Sequence, residues 1–163
     1  MRVIKEHTIK KLQQRGVFIE DMAPLVMQLQ RPYIPGLTLQ ECLESILAVL
    51  NKRDFQHTIL TGIAIDELAE KNLIEEPLLS VLKNDDGLYG VDEILALGAG
   101  TLYGTIGSTN FGFLDKTKPG IIGKLDTSHE RINIFLDDLV CAIIAAAASR
   151  VAHKNQNLRS KIE

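Results

Sequence analysis

A chain of 163 residues with 45% hydrophobic side chains is long enough to bury one real core and too short for two comfortable domains. A net charge of -3 and an aromatic content of 5% provide neither the basic footprint nor the stacking platforms of a nucleic-acid binder. The longest apolar run, residues 139–148, falls far short of the roughly 18 to 20 residues that cross a bilayer. Nothing over residues 1–16 resembles a secretory leader. The expectation is a cytoplasmic protein without a transmembrane segment, its cysteines Cys42 and Cys141 reduced and in the core.

Apolar residues recur at helical spacing in segment after segment, and the alternation of strands is absent. A short polar helix over residues 4–14 should stop at Gly16, and a second, over 19–30, should give way at Arg31-Pro32-Tyr33-Ile34-Pro35-Gly36. Thr38 with Glu41 has the spacing of a capping box for a third helix over 39–52 that buries Cys42, Ile46, Val49 and Leu50. Asp54 can cap a fourth over 55–72, with Ile59 and Ile63 on its apolar stripe. Pro77 suits the first turn of a short helix up to Lys83, and Asn84-Asp85-Asp86-Gly87 reads as a turn. Two long helices follow, over 91–110 and 132–153, joined by a lysine-rich connection.

Those last two helices carry small residues on one face. From Asp92 at helical spacing come Ala96, Gly100, Gly104 and Ser108, with Gly107 nearby, and from Asp138 come Ala142, Ala145 or Ala146, and Ser149. A glycine inside a helix costs about 1 kcal/mol relative to alanine, so several together imply the close approach of another backbone or a ligand. The expected fold is all-α, a single domain over residues 1–163 built as a bundle of about six helices with a small-residue helix packed centrally. The same faces would serve subunit contact as readily as the core, which leaves a homo-oligomer open.

Acidic doublets head both helices, Asp92-Glu93 and Asp137-Asp138, and Asp115-Lys116-Thr117-Lys118-Pro119 lies between them. Acidic residues also favour a first helical turn through the helix dipole, worth about 0.3–1 kcal/mol, and that accounts for any one doublet. Carboxylates gathered in a water-poor place cannot all stay ionised without a compensating cation. A set of hard oxygen ligands selects Mg²⁺, with Mn²⁺ or Ca²⁺ as substitutes, over zinc, because His7, His57, His129 and His153 are scattered. Lys116, Lys118 and Lys124 make a basic strip suited to an anionic substrate. Asp66-Glu67 reads as a solvated face, Tyr33, Tyr89 and Tyr103 as core or rim aromatics with satisfied hydroxyls, and Ser108-Thr109-Asn110 as a helix C-terminus whose dipole disfavours an anion.

Asp115-Lys116-Thr117-Lys118-Pro119-Gly120-Ile121, followed by Phe135-Leu136-Asp137-Asp138 and a small-residue helix, resembles the phosphatidylglycerophosphatase A family. Val91-Asp92-Glu93 resembles that family's upstream Asp-Glu segment. The resemblance implies a hydrolase of lipid metabolism, a Mg²⁺-dependent phosphatase acting on the phosphomonoester of phosphatidylglycerophosphate. Carried over by position, Asp92, Glu93, Asp115 and Asp138 would hold metal, Asp115, Asp137 and Asp138 would be catalytic, and Lys118 would hold the substrate phosphate. The family's Pro-Gly-Thr-x-Gly-Ser signature is only echoed by Pro35-Gly36-Leu37-Thr38, its usual arginine before the central aspartate is Gly112, and its apolar spans are replaced by charge-bearing helices. The chain thus resembles a soluble branch, peripheral to the membrane at most, whose partner is a phosphate-bearing small molecule or a lipid head group. The rival expectation is a non-catalytic helical interaction or oligomerisation protein that retains a structural or regulatory metal site.

Overall fold

Gly16 ends the first helix, α1 (Arg2–Gln14), because it takes φ +81°, a conformation that costs glycine little, and lets the Val17 N–H reach back to the Leu12 carbonyl at 2.9 Å. The computed structural model describes residues 2–159, with side chains over 4–156, so Met1 and residues 160–163 of the expected single domain lie outside the described residues. Helix α2 (Ile19–Gln30) stops before Pro32 and Pro35. Helix α3 (Leu39–Leu50) opens with the expected capping box: the Glu41 N–H donates to the Thr38 hydroxyl at 3.3 Å, and the Thr38 N–H donates to Glu41 Oε2 at 2.9 Å. Cys42, Ile46, Val49 and Leu50 are fully buried, as their spacing predicts. Helix α4 (Arg53–Glu70) starts ahead of Asp54, which sits in its first turn instead of capping it, and α5 (Leu78–Lys83) follows Pro77.

The expected continuous helix over 91–110 is broken. Helix α6 (Val91–Gly100) passes through a 3-10 turn (Thr101–Tyr103) into α7 (Gly104–Thr117), and Gly104 adopts φ +77° and ψ −164°, which no side-chain-bearing residue holds without strain. Asp92, Ala96, Gly100, Gly104 and Ser108 therefore do not form one face. Gly107 does make a close approach, since a Cβ there would stand 2.7 Å from the Gly100 carbonyl oxygen. The lysine-rich connection also has structure, with Lys118 capping α7 and α8 (Ile121–Asp126) following.

Helix α9 (Ile134–Arg159) is the axis of the bundle. Every side chain from Phe135 to Ser149 is buried, and α2, α3, α4, α6, α7 and α8 pack around it. An apolar circumference of this kind is stable only when enclosed, and its alanines let the surrounding backbones come close. This is the centrally packed small-residue helix, within an all-α fold that has no strands among the described residues. No helix of the described residues is long and apolar enough to cross a membrane. Cys42 and Cys141 are both buried and free.

One close contact was not legible in the pattern. A Cβ on Gly62 of α4 would meet Leu139 Cδ1 at 2.5 Å and Phe135 Cβ at 2.9 Å, and the second atom cannot swing away. Gly62→Ala is expected to lower stability by about 1–3 kcal/mol through overpacking. The measurement is a fall in urea midpoint at unchanged slope, and an unchanged midpoint would refute so close an approach of α4 to α9.

The Asp66-Glu67 expectation is half corrected. Asp66 is 1% exposed, and its two carboxylate oxygens accept the Phe135 and Leu136 N–H groups at 3.1 and 3.0 Å, capping α9 from another helix. Glu67 is partly exposed and pairs with Lys11 at 2.9 Å. Burial pushes the Asp66 carboxyl up to about 8, against the pull of those two N–H groups and of Arg15. The tyrosine expectation also needs correction: Tyr33 is 72% exposed, and the Tyr103 hydroxyl is buried with no hydrogen-bond partner.

Candidate functional site

Four segments far apart in sequence bring their polar ends to one cleft of about 370 Å³. The first turn of α6 supplies Asp92 and Glu93, the last turn of α7 supplies Asp115, the end of α8 supplies Asp126, and the start of α9 supplies Asp137 in its first turn and Asp138 just after it. Lys118 stands among them because the α7 C-cap turns left-handed at φ +44°, with its N–H bonded to the Leu114 carbonyl at 2.8 Å. A Cβ on Gly123 would stand 2.5 Å from the Lys118 carbonyl oxygen, so a glycine there lets α8 close over this turn.

The Lys118 ammonium is the hub. Nζ donates to Asp115 Oδ1 at 2.6 Å and to Asp137 Oδ2 at 2.8 Å, and it lies 3.8 Å from Asp138 Oδ1 and 3.9 Å from Asp126 Oδ1. Although burial works against its charge, the hydrogen bonds it donates to Asp115 and Asp137 hold the lysine well above its ordinary pKa. Asp138 is pushed up to about 9, first by burial and then by the adjacent Asp137 charge, with Lys118 pulling the other way. Burial raises Asp137 only to about 6, because Lys118 bonds it directly.

Asp92 lines the same cleft, and its Oδ1 is buried without a hydrogen-bond partner. Burial raises its pKa, against the N–H groups of its own first turn. Glu93 is exposed at the rim. The geometry thus gathers Asp92, Asp115, Asp137, Asp138 and Lys118 and places Glu93 at their edge. Lys116 and Lys124 are exposed and do not join them, which reduces the basic strip to one lysine. Sequence reasoning missed Asp126, whose only signal was its place shortly after the Lys-Pro pair.

Among the described residues, no three His, Cys, Asp or Glu side chains are already arranged as a metal cage. The donor set nonetheless fits a hard divalent cation. It is all oxygen, its carboxylates outnumber the single ammonium that pairs with them, and one buried oxygen, Asp92 Oδ1, lacks a partner.

An all-α bundle that closes Asp-Glu, Asp-Lys-Pro and Asp-Asp segments, in that order, around one acidic cleft defines a class of helical proteins by both fold and site. The chain belongs to the phosphatidylglycerophosphatase A family, whose model matches residues 8–153. It is 50% identical over 161 residues to the uncharacterized protein YpjQ of Bacillus subtilis, covering 99% of this chain and 91% of the relative. The crystal structure of YpjQ superposes with a TM-score of 0.92, covering 96% of this chain and 98% of that one. The crystal structure of the low temperature requirement C protein from Listeria monocytogenes gives 0.90 at 48% identity, covering 94% and 97%. The uncharacterized protein YutG of Bacillus subtilis is 50% identical over 145 residues, 88% of this chain and 87% of the relative.

Proposed function

We propose that the acidic cleft is the active site of a divalent-cation-dependent phosphomonoesterase, with phosphatidylglycerophosphate as the substrate that the family points to. The observation that carries this reading is the Lys118 hub, where one lysine and the carboxylates of three helices meet in the family's motif order. Asp92, Asp115 and Asp138 would hold Mg²⁺, with Glu93 at the rim. Bound there, the cation would offset phosphate charge and make an attacking water more acidic. Asp137, raised to about 6, is the carboxylate best matched to accept the proton of that water near neutral pH. Lys118 would neutralise a phosphate oxygen as a point charge. Water and phosphomonoester are consumed, and the alcohol and inorganic phosphate leave.

A lipid source of the phosphate is supported by exposed apolar residues near in sequence to the cleft-lining Asp85, Asp92 and Glu93. Asp86 Oδ1 accepts the Leu88 N–H at 3.0 Å, and the Tyr89 N–H bonds the Asp86 carbonyl at 2.8 Å, an ordered turn that presents Leu88 at 95% exposure. Val91 and Ile94, flanking Asp92 and Glu93, are 46% and 72% exposed. Such side chains beside an anion-processing cleft suit peripheral contact with an acyl-chain surface.

The test is release of inorganic phosphate with and without millimolar Mg²⁺, from vesicle-borne phosphatidylglycerophosphate and from a panel of water-soluble phosphomonoesters. Cation-dependent release is expected. Its absence across the panel, with the cation shown to bind, would leave a non-catalytic metal-binding module. Burying a leucine or isoleucine is worth about 1.5–3 kcal/mol, so Leu88→Asp with Ile94→Asp should reduce turnover of the vesicle-borne substrate about tenfold or more. Turnover of soluble substrates should not change, and equal loss on both would reject the lipid-contact role.

A further inference from the structure

We propose that Lys118 is the resident counter-ion of the carboxylate cluster and competes with the divalent cation for it, so that the lysine's charge sets the metal affinity of the site. This rests on the metal-dependent reading above and assigns its regulation. The ammonium lies within 4 Å of carboxylates from the ends of three helices, so it stands where those charges converge. Its compensation is incomplete. Two hydrogen bonds satisfy Asp115 and Asp137, while Asp138 and Asp126, at 3.8 and 3.9 Å, receive no hydrogen bond from it, and Asp92 Oδ1 has no partner.

No other cation among the described residues is paired with these groups. Lys83 and Arg131 also line the cleft, but Lys83 donates to Asn72 and Arg131 to the Gln14 carbonyl. Arg15 is committed to Glu70, Asn133 and the Ile132 carbonyl. A divalent ion drawn to the convergence point therefore meets one obstacle, the Lys118 head group.

The construction of residue 118 suits displacement. Its backbone is clamped by the Leu114 carbonyl and by the close approach of Gly123, while the side chain, 26% exposed, is four methylenes ending in an ammonium. The head group can swing toward solvent without moving its anchor. The freed ammonium would remain tethered beside the cleft, where an incoming phosphate needs a cation, which links metal loading to anion binding. Deleting the lysine charge should then tighten metal binding while weakening phosphate binding. A residue that merely stabilised the site would lose both.

The experiment is calorimetric titration of Mn²⁺ and Mg²⁺ into full-chain wild type and Lys118→Met at pH 8, with the fold of each checked by circular dichroism. The side-chain resonances of ¹⁵N-lysine-labelled wild type are followed through the same titration. Expected are affinity raised roughly fivefold or more in Lys118→Met and a shift of the Lys118 ammonium signal as wild type saturates. Equal or weaker binding by a folded Lys118→Met, or an unmoved Lys118 signal in metal-saturated wild type, would overturn the competition and leave the metal site standing. If neither protein takes up cation, the metal reading itself falls, and the competition with it.

Discussion

Asp138→Asn is expected to abolish phosphate release and, without divalent cation, to make the protein more stable than wild type. Both effects have one cause. Asp138 is 3% exposed, sits beside Asp137, and has only a 3.8 Å approach to Lys118, so its ionised form is poorly compensated and its carboxyl is pushed up to about 9. A carboxyl raised from 3.8 holds its proton more tightly in the folded than in the unfolded chain. The stability it contributes is therefore full below about pH 4 and is lost as pH rises toward 9. Asp137, raised to about 6, adds a loss of the same sign between about pH 4 and 6.

Asparagine removes the Asp138 part of that loss. Each pKa unit corresponds to about 1.4 kcal/mol, so recovering one unit would raise the melting temperature by about 3–6 °C at pH 8.5, with little gain at pH 4. Loss of a carboxylate proposed to hold the cation should lower phosphate release by roughly 10²-fold or more. Differential scanning calorimetry across pH together with a phosphate assay would test both. A variant less stable than wild type at pH 8.5, or one that keeps its activity, would remove Asp138 from this role.

Asp66→Ala is expected to cost stability and activity together, although the residue does not line the cleft. Its two oxygens satisfy the first N–H groups of α9, immediately before Asp137 and Asp138, in a place closed to water. Leaving two buried donors unpaired costs about 2–5 kcal/mol, a fall of roughly 10 °C in a domain of this size. The start of α9 should fray, and phosphate release should fall even at temperatures where the variant is folded, because Asp137 and Asp138, to which the proposed function assigns the chemistry, would lose their fixed position. Asp66→Asn keeps one acceptor and should retain about half of the stability. Hydrogen exchange at Phe135 and Leu136 is the direct readout, and unchanged protection there in Asp66→Ala would show that the cap is dispensable.

Local chemistry was legible in the sequence. The stop at Gly16, the Thr38–Glu41 capping box, the proline loop after α2 and the buried stripe of α3 depend on residues a few positions apart, and the structure repeats each of them. The central helix was legible because a run of alanines and branched apolar residues has no polar face to give to water. Asp92, Asp115, Lys118, Asp137 and Asp138 were found through motif order, and they meet in one cleft.

What the sequence could not show depended on partners that only folding brings near. The break at Gly104 is invisible because glycine permits both a helical and a positive-φ backbone, and the close approach of Gly107 to the Gly100 carbonyl that accompanies it exists only in the folded chain. Asp66 looked like half of a solvated doublet because the N–H groups it caps are 69 and 70 residues away. Asp126 ends a short helix with no strong pattern, and it matters only because α8 folds back beside Lys118. The sequence by itself determined an all-α chain, its buried axis and the inventory of acidic residues, because periodicity and capping are local. The tertiary structure alone decided that one ammonium stands at the convergence of those acids, because a low-dielectric cleft and its charge balance exist only when α6, α7, α8 and α9 are packed together.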